Sequence, residues 1–219
     1  MDVKEDVKLF EDGDKAFNNK DYEKAIELYT QASEMGNYDA SYSLGCMYYF
    51  GEGVEKDQKK AFDYFMLSSN QGYAEGANRV GLMYEQGLGV EKDLSKALKY
   101  FFNSANTGSL AGMANLGRCL IEGKGISQSV EVGLEWLNKS SELGYGGAST
   151  KLAYLYAYGV NVSQDYKKAL KYLERGIEQK YAEAYIELAR FYREGLGVKQ
   201  DLKKAKELEE LAPKVFDEE

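Results

Sequence analysis

Residues 40–64 read ASYSLGCMYYFGEGVEKDQKKAFDY, and residues 76–100 read GANRVGLMYEQGLGVEKDLSKALKY. The second stretch repeats the glycines, the Met-Tyr pair and the Asp, Lys and Ala positions of the first at a distance of 36 residues. The same step continues along the chain, and its first linking glycine recurs as Gly51, Gly87, Gly123, Gly159 and Gly195. A fixed period of this length is typical of repeat proteins, in which each copy is one supersecondary unit.

Each copy contains two apolar stripes with helical spacing. The first runs through Leu44, Met47 and Tyr48, and the second runs through Ala61 and Phe65. Neither stripe is buried by one helix alone, so the copies are expected to stack on each other. The pattern predicts twelve helices, at about 4–19, 22–35, 38–50, 58–71, 74–86, 94–107, 110–122, 130–143, 146–158, 166–179, 182–194 and 202–212.

The link between the two helices predicts left-handed backbone at two positions. The first is the recurring glycine, and the second reads Gly53, Gly89, Gly125, Asn161 and Gly197. Asn161 supports this prediction because asparagine is the non-glycine residue that best tolerates positive φ. The second helix is then expected to begin at an N-cap side chain, supplied by Asp57, Asp93, Ser129, Asp165 and Asp201.

The third copy departs from the pattern. It has Val132-Gly133 where the other copies have Lys-Ala. A glycine inside a helix costs about 1 kcal/mol relative to alanine. Two interpretations remain open, closer packing of a neighbouring helix or a local bend.

The pattern Ala-x3-Leu-Gly-x-Met-Tyr-x2-Gly-x-Gly-Val-x2-Asp-x2-Lys-Ala-x2-Tyr, read from Ala40 to Tyr64, resembles the Sel-one-like (SLR) repeat of the tetratricopeptide-like superfamily. Residues 13–30 look like an ordinary tetratricopeptide repeat with a shorter link. The resemblance implies an all-α fold, a right-handed α-α superhelix (solenoid) of about six antiparallel helix pairs. We expect a single solenoid over residues 1–219, with a tetratricopeptide-like pair at 1–36, five 36-residue repeats at 37–212 and an acidic tail at 213–219.

Composition excludes several classes of function. The chain has 28 basic and 36 acidic residues, a net charge of −8 and no histidine. The charge disfavours a nucleic-acid partner, and the missing histidine removes the commonest general base and metal ligand. Cys46 and Cys119 lie in no pairing motif, and no apolar run approaches membrane-spanning length. We expect a cytoplasmic protein without signal peptide, membrane insertion, metal or other cofactor.

The positions that vary between copies are candidates for binding a partner. The resemblance implies that the first helix of each pair lines a concave face, so the variable positions of these helices are expected there. Tyrosine and arginine are frequent in binding hot spots. The candidate residues are Tyr42, Tyr49, Asn78, Arg118, Tyr154, Tyr158, Arg190 and Arg193. The alternatives are packing between repeats for the tyrosines and ion pairs with Glu122 or Glu194 for the arginines.

The function expected is a protein- or peptide-binding adaptor or scaffold, because the resemblance implies this role for members of the family. A self-assembling structural element is the first alternative, and an enzyme with an unrecognised site is the second. No catalytic motif appears, so we expect no enzyme activity. The last helix carries Glu209 in place of the apolar Phe65 series, which favours a capped array and a monomer.

Overall fold

Twelve α-helices and no strand make up residues 4–216, the part of the chain that this computed structural model describes. The helices are α1 (Glu5–Asn18), α2 (Tyr22–Glu34), α3 (Tyr38–Phe50), α4 (Gln58–Asn70), α5 (Ala74–Gln86), α6 (Leu94–Asn106), α7 (Leu110–Glu122), α8 (Val130–Glu142), α9 (Gly146–Tyr158), α10 (Tyr166–Glu178), α11 (Ala182–Glu194) and α12 (Leu202–Phe216). The bounds of α1 to α11 agree with the sequence prediction to within one residue. Helix α12 instead continues through Pro213 to Phe216, beyond the predicted end at residue 212. Residues 217–219 of the expected acidic tail lie outside the described residues.

Consecutive helices pack as pairs, beginning with α1 on α2 and α3 on α4. The links within and between pairs are short, which makes neighbouring helices antiparallel. The prediction of an all-α repeat fold of about six helix pairs is therefore confirmed. The chain forms two compact units, residues 1–112 with 124–126, and residues 113–123 with 127–219. The proposed division at residues 36 and 212 stays a prediction.

Both predicted left-handed positions of the link are present. Gly51 has a φ of 81° and Gly53 a φ of 71°, and Asn161 takes the same conformation with a φ of 59°. Asp57 caps α4 by accepting from the backbone N–H groups of Lys59 and Lys60 at 3.0 and 2.9 Å. Ser129 makes no side-chain hydrogen bond at the start of α8, so the expected cap there is wrong.

A cation–π contact explains why lysine recurs before alanine in the second helix. The Nζ of Lys60 lies 5.0 Å from the ring centre of Tyr48 on the first helix of the same pair. The contact recurs with Lys96, Lys168 and Lys204 over Tyr84, Tyr156 and Tyr192. In the third copy the tyrosine is replaced by Leu120 and the lysine by Val132. The lysine disappears together with its ring, which identifies it as a structural residue.

Gly133 serves close packing. A Cβ built on Gly133 would lie 2.7 Å from the carbonyl oxygen of Gly117 on α7 and 2.6 Å from the side chain of Ile121. Helices α7 and α8 approach each other here at two facing glycines. Of the two interpretations of the third copy, the structure therefore supports closer packing.

Candidate functional site

Two tyrosines of the second unit stand on a first helix with about half of their surface exposed. Tyr154 is 48% and Tyr158 50% exposed. Their ring centres are 4.7 Å apart on α9. The guanidinium of Arg190 on α11 lies 5.3 Å from the ring centre of Tyr158. Ile186, one helical turn before Arg190, is 47% exposed, so aromatic, aliphatic and cationic groups share one face of α9 and α11. We call this set of four side chains, Tyr154, Tyr158, Ile186 and Arg190, the α9–α11 face.

The arginines of the variable positions form ion pairs. Arg118 pairs with Glu122 at 3.5 Å. Arg190 pairs with Glu187 at 2.8 Å and with Glu194 at 3.4 Å. Glu122 and Glu194 are the ion-pair partners that the sequence predicted, and Glu187 is an additional partner of Arg190. The arginine side chains are only 19% and 22% exposed, so the structure places Arg118 and Arg190 mainly in these ion pairs.

Arg193 makes a different contact. It pairs with Glu209 on α12, which stands where the other copies carry Phe65, Phe101, Leu137 and Leu173. In the last copy an ion pair thus replaces the apolar contact of the helix pair. The substitution makes this contact between α11 and α12 polar, and it places the half-exposed Arg193 in that contact.

A pocket lies beside the α9–α11 face. Its volume is about 190 Å³. Its lining residues come from α9, α10 and α11, and they are Thr150, Ala153, Tyr154, Ala157, Leu173, Glu183, Glu187 and Phe191. Leu173 and Phe191 are each 1% exposed, so they form the buried apolar part. Glu183 is exposed, and Glu187 is partly exposed. We call this space the α9–α11 pocket.

The candidates of the first unit are more closely packed. The ring of Tyr42 lies 5.3 Å from Phe65 and 5.3 Å from Tyr73, and Tyr49 lies 6.4 Å from Phe65. Burial raises the pKa of Tyr42, and it raises the pKa of Tyr73 to about 12. Asn78 is only 7% exposed. These three candidates, Tyr42, Tyr49 and Asn78, are therefore placed mainly as packing residues.

Sequence reasoning missed Arg79. Its Nε donates to the hydroxyl of Tyr42 at 3.0 Å, across the interface between α5 and α3. Its position in the repeat reads Ser43, Arg79, Asn115, Lys151 and Glu187. This position varies between copies as much as the positions from which the candidates were chosen. The variation could therefore have identified Arg79 as a further candidate.

The chemistry of the described residues disfavours a cysteine nucleophile. Cys46 is partly buried, and Cys119 is buried. Burial raises the pKa of the Cys46 thiol, with the Arg79 guanidinium opposing it. A thiol with a raised pKa stays protonated at neutral pH and is a poor nucleophile. Among residues 4–216 there is no group of three or more metal-ligating side chains, and no helix in that range is both long and apolar enough to cross a membrane.

The family model of the Sel1 repeat matches the chain at residues 9–37, 39–73, 74–109, 110–145, 147–181 and 182–212. The six matches coincide with the six helix pairs. The chain belongs to the Sel1 repeat family. The first match includes the helix pair that resembles an ordinary tetratricopeptide repeat. Sel1 repeat proteins generally mediate protein–protein interactions, and they are typically not enzymes.

Solved structures of other Sel1 repeat proteins are similar to this chain. A Sel1 repeat protein from Oxalobacter formigenes is 26% identical with a TM-score of 0.81, over 94% of this chain and 84% of its own. A protective antigen of uropathogenic Escherichia coli is 27% identical with a TM-score of 0.77, over 96% of this chain. This chain spans only 46% of the length of that antigen.

A more distant structure shares the fold alone. An immunity protein from Pseudomonas aeruginosa is 24% identical with a TM-score of 0.64, over 89% of this chain and 73% of its own. No curated protein sequence matches the chain significantly. The comparisons therefore establish the family and the fold of this Sel1 repeat protein.

Proposed function

We propose that this Sel1 repeat protein is an adaptor or scaffold that binds a protein or peptide partner through the α9–α11 face. The observation that carries the proposal is the exposure of Tyr154 and Tyr158, 48% and 50%, on a variable face of the repeat. The constant tyrosines instead pack in pairs, such as Tyr156 on Tyr172 with ring centres 5.8 Å apart. Exposed aromatic side chains beside an arginine are typical of a binding hot spot.

The other properties that we propose rest on the net charge of the chain, the polar side chains of α12 and the cysteines. A net charge of −8 favours protein over nucleic acid as the partner. The polar α12, with Lys203–Glu207 and Lys206–Glu210 ion pairs, supports a monomer. The lack of a pairing motif at Cys46 and Cys119 favours a cytoplasmic location.

The experiment is affinity capture with the full chain, from a lysate of the cells that produce it, quantified by mass spectrometry. We expect the wild type to enrich a partner, and the double substitution Tyr154→Ala/Tyr158→Ala to reduce its recovery at least about tenfold, because each ring is an apolar anchor. The matched control is Phe102→Ala. Phe102 is an aromatic residue that is 53% exposed on α6, a second helix.

The melting temperature is measured for all variants. Because the substituted residues are partly exposed, the substitutions are expected to change the melting temperature little. Equal recovery of the same partner by the wild type and by a folded double variant would contradict the proposal. A loss of equal size in Phe102→Ala would also contradict it, since the effect would then not belong to the α9–α11 face.

A further inference from the structure

The copies of the repeat fill the space above the second helix in different ways. In the first of the five 36-residue copies, the rings of Tyr42 and Tyr49 lie over Phe65, with ring centres 5.3 and 6.4 Å away. In the fourth copy the same three positions carry Thr150, Ala157 and Leu173. Two large rings are thus replaced by small side chains above a residue that is itself smaller. The α9–α11 pocket opens at this place.

The size of the pocket limits what it can hold. Its volume of about 190 Å³ is below the about 300–1,000 Å³ of typical small-molecule sites. It is several times the about 30 Å³ that one water molecule occupies in the liquid. One large apolar side chain has the right size, and the buried lining of Leu173 and Phe191 has the right polarity.

The rim of the pocket adds a charge preference. Glu183 and Glu187 line it on the α11 side. Glu187 already pairs with Arg190 at 2.8 Å, whereas Glu183 stands exposed in the first turn of α11. A ligand whose apolar group enters the pocket therefore meets a carboxylate at its edge. A lysine or arginine near the apolar residue would complement it.

From this geometry we propose that the α9–α11 pocket binds one leucine, isoleucine, methionine or phenylalanine side chain of a partner segment that carries a lysine or arginine nearby. The proposal rests on the proposed function, and it adds the chemistry of the partner. The inserted side chain anchors the segment, and the neighbouring cation pairs with Glu183. Tyr154, which also lines the pocket, joins this anchor point to the α9–α11 face.

The test is selection of random twelve-residue peptides displayed on phage against the full chain, followed by fluorescence anisotropy with a recovered peptide. We expect the recovered peptides to share a large apolar residue with a basic residue within about three positions. Ala157→Tyr, which restores the ring of the first copy, should weaken binding about tenfold or more because it fills the pocket. The control Ala157→Ser should bind within twofold of the wild type.

Two further variants keep the test decisive. Thr150→Tyr fills the pocket from another position if Ala157→Tyr fails to fold. In Glu183→Lys, replacing the peptide's basic residue by alanine should no longer weaken binding. The proposal is overturned by selection without any binding peptide, by peptides that lack an apolar residue, or by unchanged affinity in both folded filling variants. After any of these results the proposed function still stands if Tyr154→Ala/Tyr158→Ala reduces recovery of the partner by the expected factor of about ten or more.

Discussion

Replacing Gly89 by alanine is expected to lower the free energy of unfolding by about 2–4 kcal/mol, as the sum of a left-handed backbone and a steric conflict. Gly89 has a φ of 67°. A Cβ at this position would overlap the carbonyl oxygen of Gln58 and would lie 2.8 Å from the amide nitrogen of Lys59. Both atoms belong to the backbone at the start of α4, so no side-chain rotation relieves the conflict. Chemical denaturation followed by circular dichroism measures the effect.

The matched control is Gly87→Ala in the same link. Gly87 is also left-handed, with a φ of 77°, but the nearest atom to its built Cβ is the Cβ of Lys92 at 3.3 Å. Only the backbone cost of about 1–2 kcal/mol is expected there. Equal losses in the two variants would show that Gly89 is required for its conformation alone and not for contact with the preceding helix pair.

The contact made by Gly89 recurs in the other copies that carry glycine at this position, whereas the fourth copy carries Asn161 there. The built Cβ of Gly53 meets Tyr22, that of Gly125 meets the carbonyl of Leu94, and that of Gly197 meets Tyr166. Each contacted residue is the first of the second helix in the preceding pair. The second linking glycine therefore brings neighbouring repeats together, in addition to turning the chain.

We also expect that the effect of Gly81→Ala on the free energy of unfolding changes sign when Phe101 is replaced by leucine. Gly81→Ala should destabilise the wild type, because the built Cβ lies 2.6 Å from the ring of Phe101, which is 0% exposed. In a Phe101→Leu background the same substitution should stabilise the chain by up to about 1 kcal/mol, the helix preference of alanine over glycine. The chain itself suggests this pairing, since the fourth copy carries Ala153 with Leu173.

A double-mutant cycle measures the coupling. We expect an interaction energy of about 1–3 kcal/mol between positions 81 and 101, the upper part of the range for residues in contact. The control cycle combines Gly81→Ala with Phe62→Leu, another buried aromatic residue of the first unit, on α4. Additive effects in the Gly81 and Phe101 cycle would contradict the packing account.

Most of the fold could be predicted because the period placed every boundary several times. The Gly51 series ends the first helices, and the Asp57 series begins the second ones. The end of α12 was predicted less well, because residues 213–216 were assigned to the acidic tail and belong to the helix. The sequence did not explain why lysine recurs at the position of Lys60. It did show that the third copy lacks both this lysine and the tyrosine at the position of Tyr48. The ring contact needed the structure.

The candidate site could be predicted only as a set of positions. Which member is exposed depends on its neighbours: Tyr42 packs on Phe65, whereas Tyr154 stands half exposed one turn from Tyr158. Sequence reasoning favoured large residues, so it passed over Thr150 and Ala157, whose small size opens the pocket. A pocket forms only when several small residues pack around the same space, and a single sequence position does not reveal it.

Photo-crosslinking from position 158 tests the proposed binding face most directly. Benzoylphenylalanine is placed at position 158 on α9 or at position 102 on α6, in the full chain and in the cells that produce it. Tyr158 and Phe102 are similarly exposed, at 50% and 53%, so reactivity with solvent is matched. We expect a specific crosslinked partner from position 158 and none from position 102. A specific crosslinked partner from position 102, with none from position 158, would contradict the proposed binding face.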